Sequence, residues 1–152
     1  MKRIASIQDV SCLGRCSQTV ALPVVSTMGV ECAILPTAVL STHTSFPDFH
    51  CLDLTDQLLP VARHWKAQGV RFDALYTGYL ASDRQVAVVL ELLELLREEG
   101  TLLFVDPAMA DHGKLYAGFG PEFPALMAQV VSKAQITVPN ITEASLMTGL
   151  PY

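Results

Sequence analysis

The chain has 152 residues, of which 51% are hydrophobic and 16% charged, with a formal net charge of −5 at pH 7. It is too apolar and too weakly charged for an intrinsically disordered chain. Lys and Arg number only 10 and are scattered, which speaks against a nucleic-acid binder, because that needs a basic patch to neutralise phosphates.

Residues 4–7 read as a short buried strand, and 18–28 as a helix with Gly29 just past its end. Residues 30–36 read as a second strand. A second helix is expected over 52–68, opened by Asp53 and closed by Gly69, with Pro60 kinking or restarting it. Residues 72–76 read as a third strand. The stretch Ser82-Asp83-Arg84-Gln85 predicts a capping box and a helix that runs through Leu96 and stops at Gly100. Strands at 102–105 and 135–138 flank a helix at 124–133, and a last short helix covers 142–147 before Gly149.

This β-α alternation, with strands apolar on both faces, predicts one α/β domain or a piece of a larger one, built on a parallel sheet covered on both sides. The connections at 37–51 and 106–122 are longer than usual and follow strands, where such sheets bind ligands. No uncharged stretch is long and continuous enough to span a membrane: the runs at 16–30 and 32–47 are broken by Pro, Gly, Ser, Thr or His. The basic start is not followed by a signal-peptide pattern. Four unpaired-looking cysteines suggest reduced thiols and a cytoplasmic protein, and Cys12 and Cys16 have no second ligand pair to make a zinc site.

Five polar clusters fall just after the expected strands. Residues 8–17 hold Gln8, Asp9, Ser11, Gly14 and Arg15, with too few glycines for a dinucleotide fingerprint and no GxxxxGK phosphate loop. Ser41-Thr42-His43-Thr44 puts three hydroxyls around an imidazole, and in Tyr76-Thr77-Gly78-Tyr79 the glycine permits close backbone approach. Asp106 ends a buried strand, where a carboxylate is costly unless paired, hydrogen-bonded or near a cation, and Asp111 follows five residues on. In Val138-Pro139-Asn140-Ile141-Thr142-Glu143, Asn140 reads either as a helix cap or as a site residue, and Glu143 as a first-turn acid or a site residue. Carboxylates at one sheet edge suit Mg²⁺, which takes oxygen ligands and keeps several waters.

In their order, SIQD, STHT, TGY, VDPAMADHG and VPNITEA resemble the vitamin B6 kinases of the ribokinase superfamily, along the whole chain. The resemblance implies a doubly wound, mainly parallel sheet with helices on both faces, truncated here after about five βα units. It implies transfer of the ATP γ-phosphoryl group to the 5′-hydroxymethyl of pyridoxal, pyridoxamine or pyridoxine. His43 and Thr44 match the loop that contacts the ring, and Tyr79 the flanking tyrosine. Asp9 stands where many B6 kinases have a ring-contacting serine and looks more like the hydroxymethylpyrimidine kinases, with Ser11 the candidate for the missing hydroxyl. Asp106 and Asp111 match the acidic pair near phosphates and metal, and Tyr116 a tyrosine near the triphosphate, at a shorter spacing. Asn140 and Glu143 match residues that organise Mg²⁺ and ATP, with Asp106 and Glu143 the metal side, through water.

The cofactors so implied are Mg²⁺ with ATP, and K⁺ as an optional second cation. The partners are the small vitamer and ATP, neither nucleic acid nor membrane, with a homodimer for the full-length form. The family's catalytic base lies in a Gly-x-Gly-Asp turn, and no such turn occurs in these 152 residues. The resemblance therefore implies the N-terminal part of one kinase domain, inactive alone and with no catalytic residue in this chain. A hydroxymethylpyrimidine kinase, a non-catalytic vitamer binder and a flavodoxin-like receiver domain remain as alternatives.

Overall fold

The computed structural model describes residues 1–151. Its main sheet runs in the order β3-β2-β1-β4-β5-β8. The parallel part comprises β1 (Arg3–Ser11), β2 (Glu31–Leu40), β4 (Ala74–Thr77), β5 (Leu102–Val105) and β8 (Ile136–Thr137), and β3 (Cys51–Asp53) adds antiparallel to β2. The helices are α1 (Gln18–Thr27), α2 (Thr55–Ala67), α3 (Asp83–Leu96), α4 (Phe123–Val131) and α5 (Ile141–Thr148). A second, two-stranded sheet pairs β6 (Ala110–Asp111) with β7 (Lys114–Leu115).

The core lies between the sheet and α2, α3 and α4. Ala5, Ile7, Leu35, Leu75 and Leu103 from the strands meet Leu58, Val89, Leu92 and Met127 from the helices, all at most 1% exposed. Helix α1 packs on β1 and β2 and sends Gln18 Nε2 to the Ser6 carbonyl, 2.6 Å away. From the central β1 the chain first builds outward to β2 and β3, then returns to place β4 on the other side of β1. The order of strands therefore reverses between β1 and β4, the point where doubly wound sheets open a crevice at their carboxyl ends.

Several expectations need correction. Residues 52–68 do not form one helix: β3 takes 51–53, and α2 starts only at Thr55. Asp53 still opens that helix, since its carboxylate accepts the Thr55 N–H at 2.7 Å. Pro60 does not divide α2. Ser82 caps α3, accepting from Gln85 N at 3.2 Å, but Gln85 does not close the expected box. Its amide turns inward instead, accepting from Ala81 N and donating to Thr37 O and Thr55 Oγ1. β1 is longer than expected, so Gln8–Ser11 are strand residues and not a turn. The 106–122 connection contains the β6–β7 hairpin, turned by His112 and Gly113 at φ 51° and 77°, the paired positive angles of a two-residue hairpin.

Candidate active site

β1 pairs with β4 only through Ile7, while residues 8–11 continue beside β2, whose register shifts by one residue opposite Asp9. Such irregularities re-aim side chains next to sites. The two strands part at this point, and Gly78 follows β4 across the gap: a Cβ on Gly78 would sit 2.8 Å from Gln8 Oε1. The resulting cleft encloses about 980 Å³.

Its β1 wall carries Asp9 and Ser11, respectively 3% and 1% exposed. Ser11 Oγ donates to Asp9 Oδ2 at 3.0 Å. Tyr79 faces them, its ring tilted on Phe119 at 5.7 Å. Burial above all, and then the negative charge of Asp9, push its hydroxyl up to about 12, so it stays a neutral donor. His43 and Thr44 reach the cleft from the loop after β2. The backbone holds that loop: His43 N donates to Leu13 O at 3.2 Å, and His43 Nδ1 accepts from Ser45 N at 3.3 Å. The imidazole meets Phe46 edge-on at 4.8 Å.

Asp106, Asp111 and Tyr116 line the same cleft. Asp106 N donates to Thr77 O at 3.0 Å, which anchors the carboxylate at the end of β5. Burial, and then the charge of Glu143, push its carboxyl up to about 6. Tyr116 is also raised, by burial and then by Glu143, Asp111 and Asp106. Asp111 is exposed at the hairpin, accepting from His112 N at 2.8 Å.

The cleft thus gathers eight of the ten residues singled out in the sequence. Asn140 and Glu143 are not on its wall. They form a complete capping box for α5 and also hold the loop after β5. Glu143 Oε1 accepts from Met109 N and Ala110 N at 3.1 and 3.5 Å, and Asn140 Nδ2 donates to Ala110 O at 2.7 Å. Burial raises the Glu143 carboxyl, against the lowering effect of those N–H groups. The cleft also takes Arg15, Tyr76, His112 and Lys114. Arg15, Tyr76 and His112 stood inside the recognised clusters. Lys114 carried no signal of its own, because only the hairpin turn brings it to the rim.

No group of three or more His, Cys, Asp or Glu suited to a metal ion occurs among the described residues. None of their helices is long and apolar enough to cross a membrane.

No protein-family model matches the chain. A pyridoxine/pyridoxal/pyridoxamine kinase of Bordetella pertussis is 31% identical over 156 residues, covering 97% of this chain and 54% of that protein. The solved pyridoxal kinase of Lactobacillus plantarum is 37% identical, with a TM-score of 0.90, covering 100% of this chain and 54% of that one. A proposed phosphomethylpyrimidine kinase of Bacteroides thetaiotaomicron, solved with pyridoxal, is 42% identical, with a TM-score of 0.94, covering 99% and 53%. The chain spans about half the length of the relatives it matches, and its fold is that of the ribokinase-like kinases.

Proposed function

We propose that this chain, by sequence and fold a relative of the pyridoxal kinases, forms the substrate side of an enzyme that phosphorylates the 5′-hydroxymethyl of a B6 vitamer with ATP. The observation that carries this reading is the cleft at the strand-order reversal. There Asp9, Ser11, His43, Thr44 and Tyr79 form one group and Asp106, Asp111 and Tyr116 a second, and both line the same cavity. The first group suits a flat, polar ring. The second is acidic and faces the space where a phosphoryl donor and its cation would lie.

Mg²⁺ fits the second group. The Asp106 carboxylate has no ion-pair partner among the described residues. Burial and then the like charge of Glu143 raise its affinity for a proton, a cost that a bound cation would relieve. Mg²⁺ needs only one or two carboxylates beside waters and phosphates. Asp106 would hold the ion and Asp111 flank it. Glu143, with its oxygens on backbone N–H groups, would act through water or through the loop it fixes. The ion would supply charge neutralisation at the phosphates. K⁺ and a homodimeric whole enzyme rest on the family resemblance alone. A cytoplasmic setting agrees with four free cysteines.

No Gly-x-Gly-Asp turn, which in these kinases carries the base and an anion hole, occurs in the 152 residues. Each is worth a factor of about 10² or more. The 152-residue chain is therefore expected to bind pyridoxal without phosphorylating it. The test joins direct binding of pyridoxal to a coupled assay with ATP and Mg²⁺. Failure to bind pyridoxal, or turnover on the usual scale of about 1–10³ s⁻¹, would overturn the reading. A hydroxymethylpyrimidine kinase is the second reading, favoured by Asp9 and by the likeness to the Bacteroides protein.

A further inference from the structure

A carboxylate taken out of water is costly unless a cation or several donors meet it. Asp9 is 3% exposed, and none of the ion pairs among the described residues includes it. Its one hydrogen-bond partner among them is Ser11, whose hydroxyl occupies Oδ2. The ionisable groups that face it are Tyr79, after β4, and Cys51, on β3. A phenol and a thiol are neutral or anionic, so neither can supply positive charge. Arg15 lines the same cleft but is exposed and forms no ion pair with Asp9. The carboxylate lines the cavity, so the missing cation has to come from whatever fills it.

We infer that Asp9 is the specificity-determining group of the cleft: held by Ser11, its carboxylate receives the protonated ring nitrogen of the heteroaromatic substrate, so the site selects the pyridinium form. The inference deepens the reading proposed above and rests on it for the identity of the substrate. A serine at this position accepts or donates and tolerates either protonation state. A buried carboxylate is an acceptor only and repels a lone pair, so it discriminates. Carboxylates pair with pyridine nitrogens in this way in other cofactor sites. Asp9 is a binding residue and Ser11 its positioning residue.

The test is titration of the 152-residue chain with pyridoxine, following affinity and the ultraviolet spectrum, which distinguishes a protonated from a free ring nitrogen. Bound pyridoxine is expected to keep its pyridinium spectrum to higher pH than free pyridoxine. Asp9→Asn should weaken binding about 10–100-fold and abolish that spectral shift. Ser11→Ala should weaken binding less and preserve the shift. An analogue with C–H in place of the ring nitrogen should bind parent and Asp9→Asn alike. Pyridoxine bound by the parent chain with an unshifted titration overturns the inference even if Asp9→Asn fails to fold. A parent chain that binds 4-amino-5-hydroxymethyl-2-methylpyrimidine but not pyridoxine, and loses that binding in Asp9→Asn, upholds Asp9 while overturning the vitamer reading. No binding of either compound overturns both.

Discussion

Gly14 sits so close to His43 that a Cβ built on it would lie 2.8 Å from the imidazole Cδ2. This contact joins the loop after β1 to the loop after β2, and with the Leu13–His43 backbone bond it decides where the imidazole stands. The Ser45 N–H occupies Nδ1, so Nε2 is the ring nitrogen that remains free of this bond.

Gly14→Ala is expected to weaken pyridoxine binding about three- to tenfold through the displaced imidazole, the size of one lost neutral hydrogen bond. It should also cost about 1–3 kcal/mol of stability, because φ is +133° there. Gly29→Ala separates the two effects. Its φ is +77° with nothing within 4 Å, so it should lose stability and keep its affinity. Equal affinity in both variants would remove Gly14 from the site.

Asp106 gives a prediction with a definite sign. Its carboxyl is pushed from 3.8 to about 6 by burial and then by Glu143, so the folded chain binds this proton more tightly than the unfolded chain. The associated stability is complete below about pH 4 and is lost as pH rises through about 6. Full conversion would give about 3 kcal/mol, which solvent at this partly open group reduces to about 1 kcal/mol. Asp106→Asn should therefore raise the melting temperature at pH 7 and flatten its fall between pH 4 and 6. In a complete kinase the same variant should depress turnover. An unchanged pH profile of melting would show that Asp106 carries no such strain.

The alternation of strands and helices was legible because buried parallel strands and amphipathic helices have distinct periods. Three features were not. β3, β6 and β7 are two or three residues long and largely exposed, too short for any period. The strand character of Gln8–Ser11 was hidden because these polar residues are buried by pairing with β2 and not by apolar character. Gln85 was read as a cap from local spacing, yet its amide is claimed by Thr37 and Thr55, 48 and 30 residues away. The site was legible as clusters at strand ends, and topology alone decided that Asn140 and Glu143 support a loop while Asp9 and Tyr79 face a cavity.

Gln85 is fully buried and ties α3 to β2 and α2 through bonds of 3.0 and 2.9 Å, while its oxygen accepts from Ala81 N, just before α3, at 2.8 Å. Gln85→Leu keeps a similar volume but leaves the Ala81 N–H, the Thr37 carbonyl and the Thr55 hydroxyl without this partner. The Thr37 carbonyl keeps the Leu54 N–H and the Thr55 hydroxyl keeps Asp53, so the Ala81 N–H is the group left unsatisfied, and the expected loss is about 1–3 kcal/mol. Thermal or urea unfolding would measure it. A loss below about 1 kcal/mol would mean that neighbouring groups replace the amide.

The free edge of the sheet leads to the last prediction. β8 pairs with β5 on one side only, and Ile136 and Val138 lie exposed along it, beside Ile141 at 63% and Leu150 at 67%. An unpaired edge flanked by apolar side chains is a template for another strand. Lys and Arg, the usual edge protectors, are absent from 134–151. The 152-residue chain is expected to self-associate with rising concentration, and the double variant Ile136→Lys/Val138→Lys to stay monomeric, since each lysine places a charge where a second copy would pair. Val24→Lys, on the exposed face of α1, is the matched control and should leave association unchanged, because α1 has no unpaired backbone groups to offer along that face. Size-exclusion chromatography over a range of concentrations, with melting followed by circular dichroism, decides the matter. A sharply melting monomer at every concentration would mean that the edge is protected by its short length, and that the six-stranded sheet with its five helices closes a core sufficient by itself.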